Sequence, residues 1–247
     1  MGGSLSLEEQ EQALQLRVAC DKGDHFELQR LLQSVRKGPN SPADNIDWGY
    51  KQHPNNRKCS SPAHYAARGG HDKCLELLLD HGALCNLVDW RGFAPSHEAC
   101  MGKRKISTMK LLLRRGGCDV NKKNDLDGWT CAHICAHDDA PELLEFLMRE
   151  KAYIDSRTKI DRATPLHLAC KRGHSRCMQV LINHGADENA LDGHMNPPLS
   201  SVVLVGFLTE REREKQHRRA RGEPPTLPNN EPANMLMGGI YCLVPPI

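Results

Sequence analysis

Thr164-Pro165-Leu166-His167-Leu168-Ala169-Cys170 is the stretch of this 247-residue chain that decides the fold. Related stretches begin at Ser61, Ala94 and Thr130, and each of them has histidine at its fourth position. The successive histidines are 33, 36 and 34 residues apart: His64, His97, His133 and His167. A sequence period of this length indicates an array of one supersecondary unit that stacks on copies of itself.

Each of these stretches predicts the start of a helix. Proline suits the first helical position because its missing N–H is not needed there, and a Ser or Thr hydroxyl can accept a hydrogen bond from an unpaired amide. The residues concerned are Ser61, Pro62, Pro95, Thr130, Thr164 and Pro165. A second apolar cluster and a glycine turn follow, as in Val180-Leu181-Ile182-Asn183-His184-Gly185-Ala186. Each repeat is therefore predicted to be helix, turn, helix and loop.

The unit resembles the ankyrin repeat, whose Thr-Pro-Leu-His signature stands unaltered at Thr164 to His167. The resemblance covers roughly residues 12 to 200. It implies an all-α solenoid of helix-turn-helix units with projecting loops, in which the signature histidines join neighbouring repeats by hydrogen bonds. The function that it implies is the binding of another protein, without catalysis and without a cofactor.

The pattern divides the chain into a flexible segment, a repeat domain and a tail. A flexible N-terminal segment is predicted at 1–11, and the ankyrin domain at 12–208. Within the domain we expect a degenerate repeat at 12–44, a protruding loop at 45–58, repeats at 59–90, 91–126, 127–160 and 161–192, and a partial cap at 193–208. A flexible tail, charged and then proline-rich, is expected at 209–247.

Two departures from the pattern stand out. Ala94 has no hydroxyl to cap a helix, so the repeat 91–126 is expected to open first, at a cost of roughly 1 kcal/mol for the lost cap. Lys151 stands where the equivalent position of another repeat has Gly82. Both positions therefore mark places where the local sequence does not favour the repeat.

Composition narrows the class of partner. The 33 basic residues nearly balance the 31 acidic ones, so neither nucleic acid nor an anionic membrane is expected as a partner. No apolar run approaches the roughly 20 residues that a membrane-spanning helix needs. The 11 cysteines, with no signal peptide, indicate a reducing compartment, the cytoplasm or the nucleus. We expect a monomer.

Three other functions compete with protein binding. Cys131, His133, Cys135 and His137 could be a metal site, but the two i, i+4 pairs point about 200° apart on a helix. Cys100 beside His97 could be a thiol and its base, but Cys100 falls at a small packing position. A substrate receptor of a ubiquitin ligase would need a patterned box that residues 200–247 lack. The residues favour packing over both kinds of chemistry, so no enzyme is expected.

The N-terminus raises a separate possibility. Gly2, followed by Ser6, fits the pattern for N-myristoylation, which would make the protein a weakly membrane-attached adaptor. Glu8 and Glu9 supply no basic second signal, so membrane attachment is expected only if Gly2 carries the lipid.

The resemblance places a partner on the concave face of the stack. The exposed positions it implies on the first helices are Tyr65, Arg68, Glu98, Met101, Ile134, His137, Leu168, Lys171 and Arg172. The loops add Trp90, Arg91, Trp129, Arg157 and Lys159. Aromatic and arginine side chains dominate binding energies, so Trp90, Trp129 and Tyr65 are the expected anchors. The alternative is that both tryptophans pack along their own loops.

Overall fold

A computed structural model describes residues 7–35 and 60–198 of the chain. These residues form ten α-helices and no β-strand, which confirms the predicted all-α class. The helices are α1 Leu7–Lys22, α2 His25–Val35, α3 Pro62–Gly69, α4 Asp72–Asp80, α5 Pro95–Met101, α6 Ile106–Arg114, α7 Cys131–His137, α8 Pro141–Arg149, α9 Pro165–Arg172 and α10 Ser175–Asn183. The loop 45–58, the tail 209–247 and Gly2 lie outside the described residues, as does the cap 193–208 beyond residue 198.

The helices form two layers. The first helices of the repeats, α1, α3, α5, α7 and α9, pack side by side in chain order. The second helices pack behind them, with α2 on α4, α4 on α6 and α8 on α10. Small buried residues such as Ala66, Ala67 and Ala169 let the first helices approach closely.

Leucines of the second helices fill the space between the layers. Leu75, Leu78, Leu112, Leu144 and Leu181 are all fully buried. Burying one leucine side chain stabilises a fold by about 1.5–3 kcal/mol, so this shared apolar core holds the stack together.

The N-terminal boundary differs from the prediction. Helix α1 begins at Leu7, inside the segment 1–11 that was expected to be flexible. Its first turns are rich in Glu and Gln, which are good helix formers and extend the helix beyond the apolar pattern. The segment 1–11 is therefore not flexible throughout. Helix α1 packs on α3, so this helix joins the stack.

The signature histidines connect each repeat to the next. His64 Nε2 lies 2.9 Å from the carbonyl oxygen of Phe93, in the hairpin 89–93 that leads to the next repeat. Because a carbonyl only accepts hydrogen bonds, Nε2 carries the proton and Nδ1 is the acceptor. Nδ1 accepts from the backbone N–H of Ser61 at 3.1 Å and from its hydroxyl at 2.9 Å. The hydroxyl thus bonds to the histidine, and not to a backbone amide as predicted.

The other three histidines repeat this arrangement. The Nε2 atoms of His97, His133 and His167 lie 3.1–3.3 Å from the carbonyl oxygens of Trp129, Ala163 and Asn196. Their Nδ1 atoms accept from the N–H groups of Ala94, Thr130 and Thr164 at 3.1–3.2 Å. Every signature histidine therefore joins a helix start to the hairpin that follows.

Burial makes two of these rings hard to protonate. Loss of solvent lowers the pKa of His97 and of His133 from 6.5 to about 4, against the opposing effect of their carbonyl partners. A proton on Nδ1 would also end its role as acceptor. The folded state thus prefers neutral rings, and its stability is complete above the unfolded pKa of 6.5 and falls as the pH drops toward 4.

We predict that lowering the pH from 7 to 5 reduces the free energy of unfolding by about 2 kcal/mol for each of His97 and His133. Urea denaturation at the two pH values measures this loss. The variants His97→Gln and His133→Gln should each lose about 2 kcal/mol less between the two pH values than the wild type. Equal stability of the wild type at pH 7 and pH 5 would contradict the prediction.

The repeat 91–126 is the one expected to open first. Ala94 offers no hydroxyl to His97, although its N–H still donates to the ring. Helices α6 and α8 are joined by polar contacts: Lys110 Nζ lies 5.9 Å from the centre of the Phe146 ring, and Arg114 lies 3.2 Å from Glu150. Exposed contacts of this kind contribute under about 1 kcal/mol each, so they support the expectation of local opening, which stays a prediction.

Lys151 carries backbone strain. Its φ is +64°, in the left-handed region, where Gly82 and Gly185 have φ of +83° and +90° at equivalent places after α4 and α10. A side chain in this region crowds the following carbonyl oxygen, at a cost of about 1–2 kcal/mol. The repeat geometry thus imposes on lysine a conformation that suits glycine.

We expect Lys151→Gly to raise the free energy of unfolding by about 0.5–1 kcal/mol, after allowance for the greater freedom of glycine in the unfolded chain. Lys151→Ala keeps a Cβ atom and should give no such gain. Gly185→Ala should lose about 1 kcal/mol, and because no atom lies within 4 Å of the added Cβ, the loss would come from the backbone alone. If Lys151→Ala raised the free energy of unfolding as much as Lys151→Gly does, backbone strain at Lys151 would be refuted.

Candidate protein-binding surface

Four hairpins connect the repeats on one edge of the stack. Each is closed by a backbone N–H to carbonyl bond of 2.7–3.0 Å. The bonded pairs are Asp89 and Phe93, Asn124 and Trp129, Thr158 and Ala163, and Asp192 and Asn196. In every hairpin the side chain of the first residue also accepts a hydrogen bond from the N–H of the last, at 2.6–2.9 Å. The hairpins are thus closed twice.

Backbone contacts join the hairpins into one ridge. The N–H of Lys159 donates to the carbonyl of Asp127 at 2.8 Å, and the N–H of Gly193 donates to that of Asp161 at 2.7 Å. Between the first two hairpins, a Cβ on Gly92 would lie only 2.3 Å from the amide nitrogen of Asp125. The four tips therefore follow one another without a gap.

Each tip exposes one large apolar side chain. Trp90 is 55% exposed, Leu126 56%, Ile160 72% and Met195 72%. We call these four residues the tip row. Since adjacent helices pack with their axes about 8–10 Å apart, successive members of the row are about 10 Å apart along the stack.

The comparison with protein families identifies this architecture. A family model described as ankyrin repeats (3 copies) matches residues 16–124 and 96–192, more than half of the chain. The chain belongs to the ankyrin-repeat family. An ankyrin stack is a protein-interaction module, and the fold is generally non-enzymatic.

Similar proteins share this part of the chain. The NF-kappa-B p105 subunit of Gallus gallus is 35% identical over 135 residues, which are 53% of this chain and 13% of that protein. The transient receptor potential cation channel subfamily A member 1 of Drosophila melanogaster is 28% identical over 200 residues, 75% of this chain and 15% of the channel. The E3 ubiquitin-protein ligase XBAT32 of Arabidopsis thaliana is 28% identical over 155 residues, 51% of this chain and 30% of the ligase. The matches cover less than a third of each relative's length.

The predicted binding residues differ in how exposed they are in the ankyrin stack. Arg68, Trp90, Lys159, Lys171 and Arg172 are exposed. Tyr65, Arg91, Met101, Trp129, His137, Arg157 and Leu168 are partly buried. Glu98 and Ile134 are buried, with exposed fractions of 4% and 2%.

The prediction that Glu98 and Ile134 are exposed is wrong. Both lie at the same repeat position, on the inner first helices α5 and α7, and each of these helices has a first helix on either side. Ile134 belongs to the core, and Glu98 is covered by arginines of its own hairpin and of α3. Neither side chain can anchor a partner while the stack is intact.

The two tryptophans have different surroundings. Trp129 is partly buried and packs edge-on against the His137 ring, with ring centres 5.1 Å apart. Trp90 is over half exposed, with the Arg91 guanidinium 5.8 Å from its ring centre. The alternative of packing along the loop thus describes Trp129 better than Trp90, which is presented to solvent.

His137 is held in a polar network at the ends of the first helices. Its Nδ1 lies 2.6 Å from a carboxylate oxygen of Asp138, and its Nε2 accepts from the Arg172 guanidinium of the next repeat. Arg104, from the preceding repeat, donates to the Asp138 carbonyl at 2.7 Å. The network spans three repeats and fixes this part of the surface.

The buried cysteines do not support thiol chemistry. Burial raises the pKa of Cys100 well above its usual value, and so do the neighbouring thiols of Cys131 and Cys135. A thiolate nucleophile is therefore not populated at neutral pH. Both ring nitrogens of His97 already bond to the backbone, so this residue cannot act as the base.

The described residues contain neither a candidate metal site nor a candidate membrane-spanning helix. Within residues 7–35 and 60–198, no three or more His, Cys, Asp or Glu side chains are grouped to hold a metal ion. No helix in the same ranges is both long and apolar enough to cross a membrane.

Leu126, Ile160 and Met195 were not among the predicted binding residues. The sequence contains a signal for them, because each tip has one large apolar residue at nearly the same distance after a signature histidine. A difference of one residue in hairpin length obscures this register, since the closing residues are five positions apart in the second hairpin and four apart in the first.

Glu98, which was expected to be exposed, belongs to a buried cluster of charged side chains. Arg91 donates to Glu98 and also, at 2.9 Å, to Asp89, while Arg68 Nε lies 4.0 Å from the second Glu98 oxygen. Burial raises the pKa of Glu98, against the lowering effect of the two arginines. The cluster ties the first hairpin to α5.

We predict that Glu98→Ala lowers the free energy of unfolding by about 1–3 kcal/mol, because it removes one of the two buried carboxylates that bind the Arg91 guanidinium. The matched control is Glu142→Ala, which removes an exposed pair with Arg176 at 2.8 Å and should cost under about 0.5 kcal/mol. Urea denaturation of the two variants measures the difference. Equal losses would show that the buried cluster contributes no more than a surface ion pair.

Proposed function

We propose that this protein is a non-catalytic adaptor that binds a partner protein across the tip row and the adjoining exposed ends of the first helices. The observation that carries the proposal is that four successive hairpins each expose one large apolar side chain: Trp90, Leu126, Ile160 and Met195. Large apolar groups that stand together in solvent mark interaction sites more often than single exposed ones do.

The rigidity of the ridge supports this function. Each hairpin is closed by two hydrogen bonds, and its last residue, or one nearby, also receives the bond from a signature histidine. A surface that is already ordered loses little conformational entropy on binding, so more of the contact energy appears as affinity. Trp90, as an exposed aromatic residue beside an arginine, is the strongest candidate anchor.

Charges beside the row favour one kind of partner. Arg68, Lys103, Lys171 and Arg172 are exposed cations at or just after the ends of α3, α5 and α9. A partner with apolar side chains followed by acidic ones would match this surface and would be steered toward it. The proposed partner is thus a protein segment that combines apolar and acidic residues.

The other expectations extend this proposal. None of the nine buried cysteines of the described residues forms a disulfide, which supports a reducing cytoplasm or nucleus as the location. Myristoylation of Gly2 would add a weak membrane attachment to the same adaptor. A role as substrate receptor of a ubiquitin ligase would also use the tip row, but residues 200–247 lack the patterned box that would bind the ligase. A monomer remains the expected state.

Proximity labelling in cells with the full chain tests the function. We expect the double variant Trp90→Asp and Ile160→Asp to reduce labelling of the true partners at least about tenfold, since each lost anchor weakens binding by about 2 kcal/mol or more. The control is Tyr153→Asp, which changes a side chain that is 68% exposed but lies outside the row.

Circular dichroism on the purified variants must show unchanged helix content and unchanged thermal unfolding. Equal labelling by the wild type, the row variant and the control would overturn the proposal.

A further inference from the structure

One segment of the chain has the chemistry to cover the tip row. Residues 235–247 read Met-Leu-Met-Gly-Gly-Ile-Tyr-Cys-Leu-Val-Pro-Pro-Ile and contain no Asp, Glu, Lys or Arg. The row itself is apolar and has no cover among the described residues. Removing both surfaces from water together would be favourable at about 25 cal/mol for each Å² buried.

We propose that residues 235–247 dock along the tip row of the same molecule. The docked segment would compete with a partner protein for Trp90, Leu126, Ile160 and Met195. This competition, though not the docking, rests on the proposed function.

The spacing of the two surfaces agrees. Members of the tip row follow one another at about 10 Å, the distance between packed helices. An extended chain with three residues per turn advances about 9 Å per turn, so every third residue lies on one side at nearly that interval. Met237, Ile240, Leu243 and Pro246 are apolar residues at this three-residue interval. Four apolar side chains can thus meet four tips.

The length of the chain permits the docking. The described chain passes the last member of the row, Met195, and reaches residue 198, so the route to the segment starts at the row itself. Residues 199–234 then provide 36 residues of connection. Fully extended, 36 residues reach at most about 120–130 Å, while the row extends over roughly 30 Å. The segment can therefore reach every tip.

The connection also makes weak contacts sufficient. A tethered segment faces its site at an effective concentration in about the millimolar range. Docking with an intrinsic dissociation constant of about 0.1 mM would then be occupied most of the time, yet a partner of about micromolar affinity at sufficient concentration would displace it. The docked segment would raise the partner concentration that is needed for binding, but it would not prevent binding.

Trp90 reports on the docking in the full chain. The chain has three tryptophans, so Trp48→Phe with Trp129→Phe leaves Trp90 as the single emitter. In this background, Ile240→Asp with Leu243→Asp should shift the Trp90 emission to longer wavelength. The same change should raise its quenching by acrylamide about twofold, because the undocked ring loses its cover. The matched control is Thr226→Asp with Leu227→Asp, which places the same charges in the tail outside the segment and should change neither signal.

A second measurement avoids the tryptophan substitutions, which could disturb folding. Hydrogen exchange of the tip amides of Leu126 and Ile160 is compared between the wild type and the Ile240→Asp, Leu243→Asp variant. Faster exchange in the variant supports the docking, while equal exchange together with equal quenching overturns it. Quenching that increases on dilution would show a second copy as the occupant, which also overturns docking within one molecule.

Partner labelling separates this inference from the proposed function. If both hold, Ile240→Asp with Leu243→Asp increases labelling severalfold, and Trp90→Asp with Ile160→Asp abolishes it. Unchanged Trp90 quenching and tip exchange in the tail variant overturn the docking, whatever the labelling shows. Unchanged labelling in the tip variant overturns the proposed function, whatever the fluorescence shows.

Discussion

The hydrogen bond from a signature histidine to the next hairpin is the interaction on which the rest of the structure depends. His64 and Phe93 are 29 residues apart in the chain, yet the bond between them joins the first turn of one helix to the hairpin before the next. The same ring accepts from the backbone N–H that begins its own helix. One side chain therefore fixes the helix start, the hairpin and the step between repeats. This is why each repeat needs its neighbour, as expected of a solenoid whose stability is shared between adjacent units.

The surface follows from the same constraint. Because the histidines hold each hairpin at the same place in its repeat, the four hairpins follow one another along one edge of the stack, and backbone bonds join the second to the third and the third to the fourth. A side chain of the tip row can change without disturbing the core, since none of its four members belongs to the core cluster. The residues that keep the stack together are thus different from the exposed residues that determine which partner binds. Four large apolar side chains at such positions would be a liability if nothing covered them, which is the reason to expect an occupant.

The sequence predicts the helices of this structure better than it predicts which side chains are exposed. Proline, histidine and the period locate the helix starts of four repeats because these features act within a few residues of the backbone they shape. The exposure of Glu98 and Ile134 could not be predicted in the same way. It depends on side chains from neighbouring repeats, such as Arg68, that come close only after stacking. The tip row was missed because hairpins of unequal length shift its members out of an exact period.

Histidines have two different roles in this chain: the signature histidines hold the stack together, and His137 lies at its surface. The signature histidines are buried, with both nitrogens occupied by the backbone. Burial lowers the pKa of His64, His97 and His133, so a proton on one of these three rings weakens the stack. His137 is partly exposed and bonds to side chains of two residues, Asp138 and Arg172, next to Trp129. This histidine contributes to the polar surface of the stack, but it does not hold a hairpin in place. Acid therefore weakens this protein through the buried signature histidines, and the surface is lost when the hairpins that carry it lose their histidine bonds.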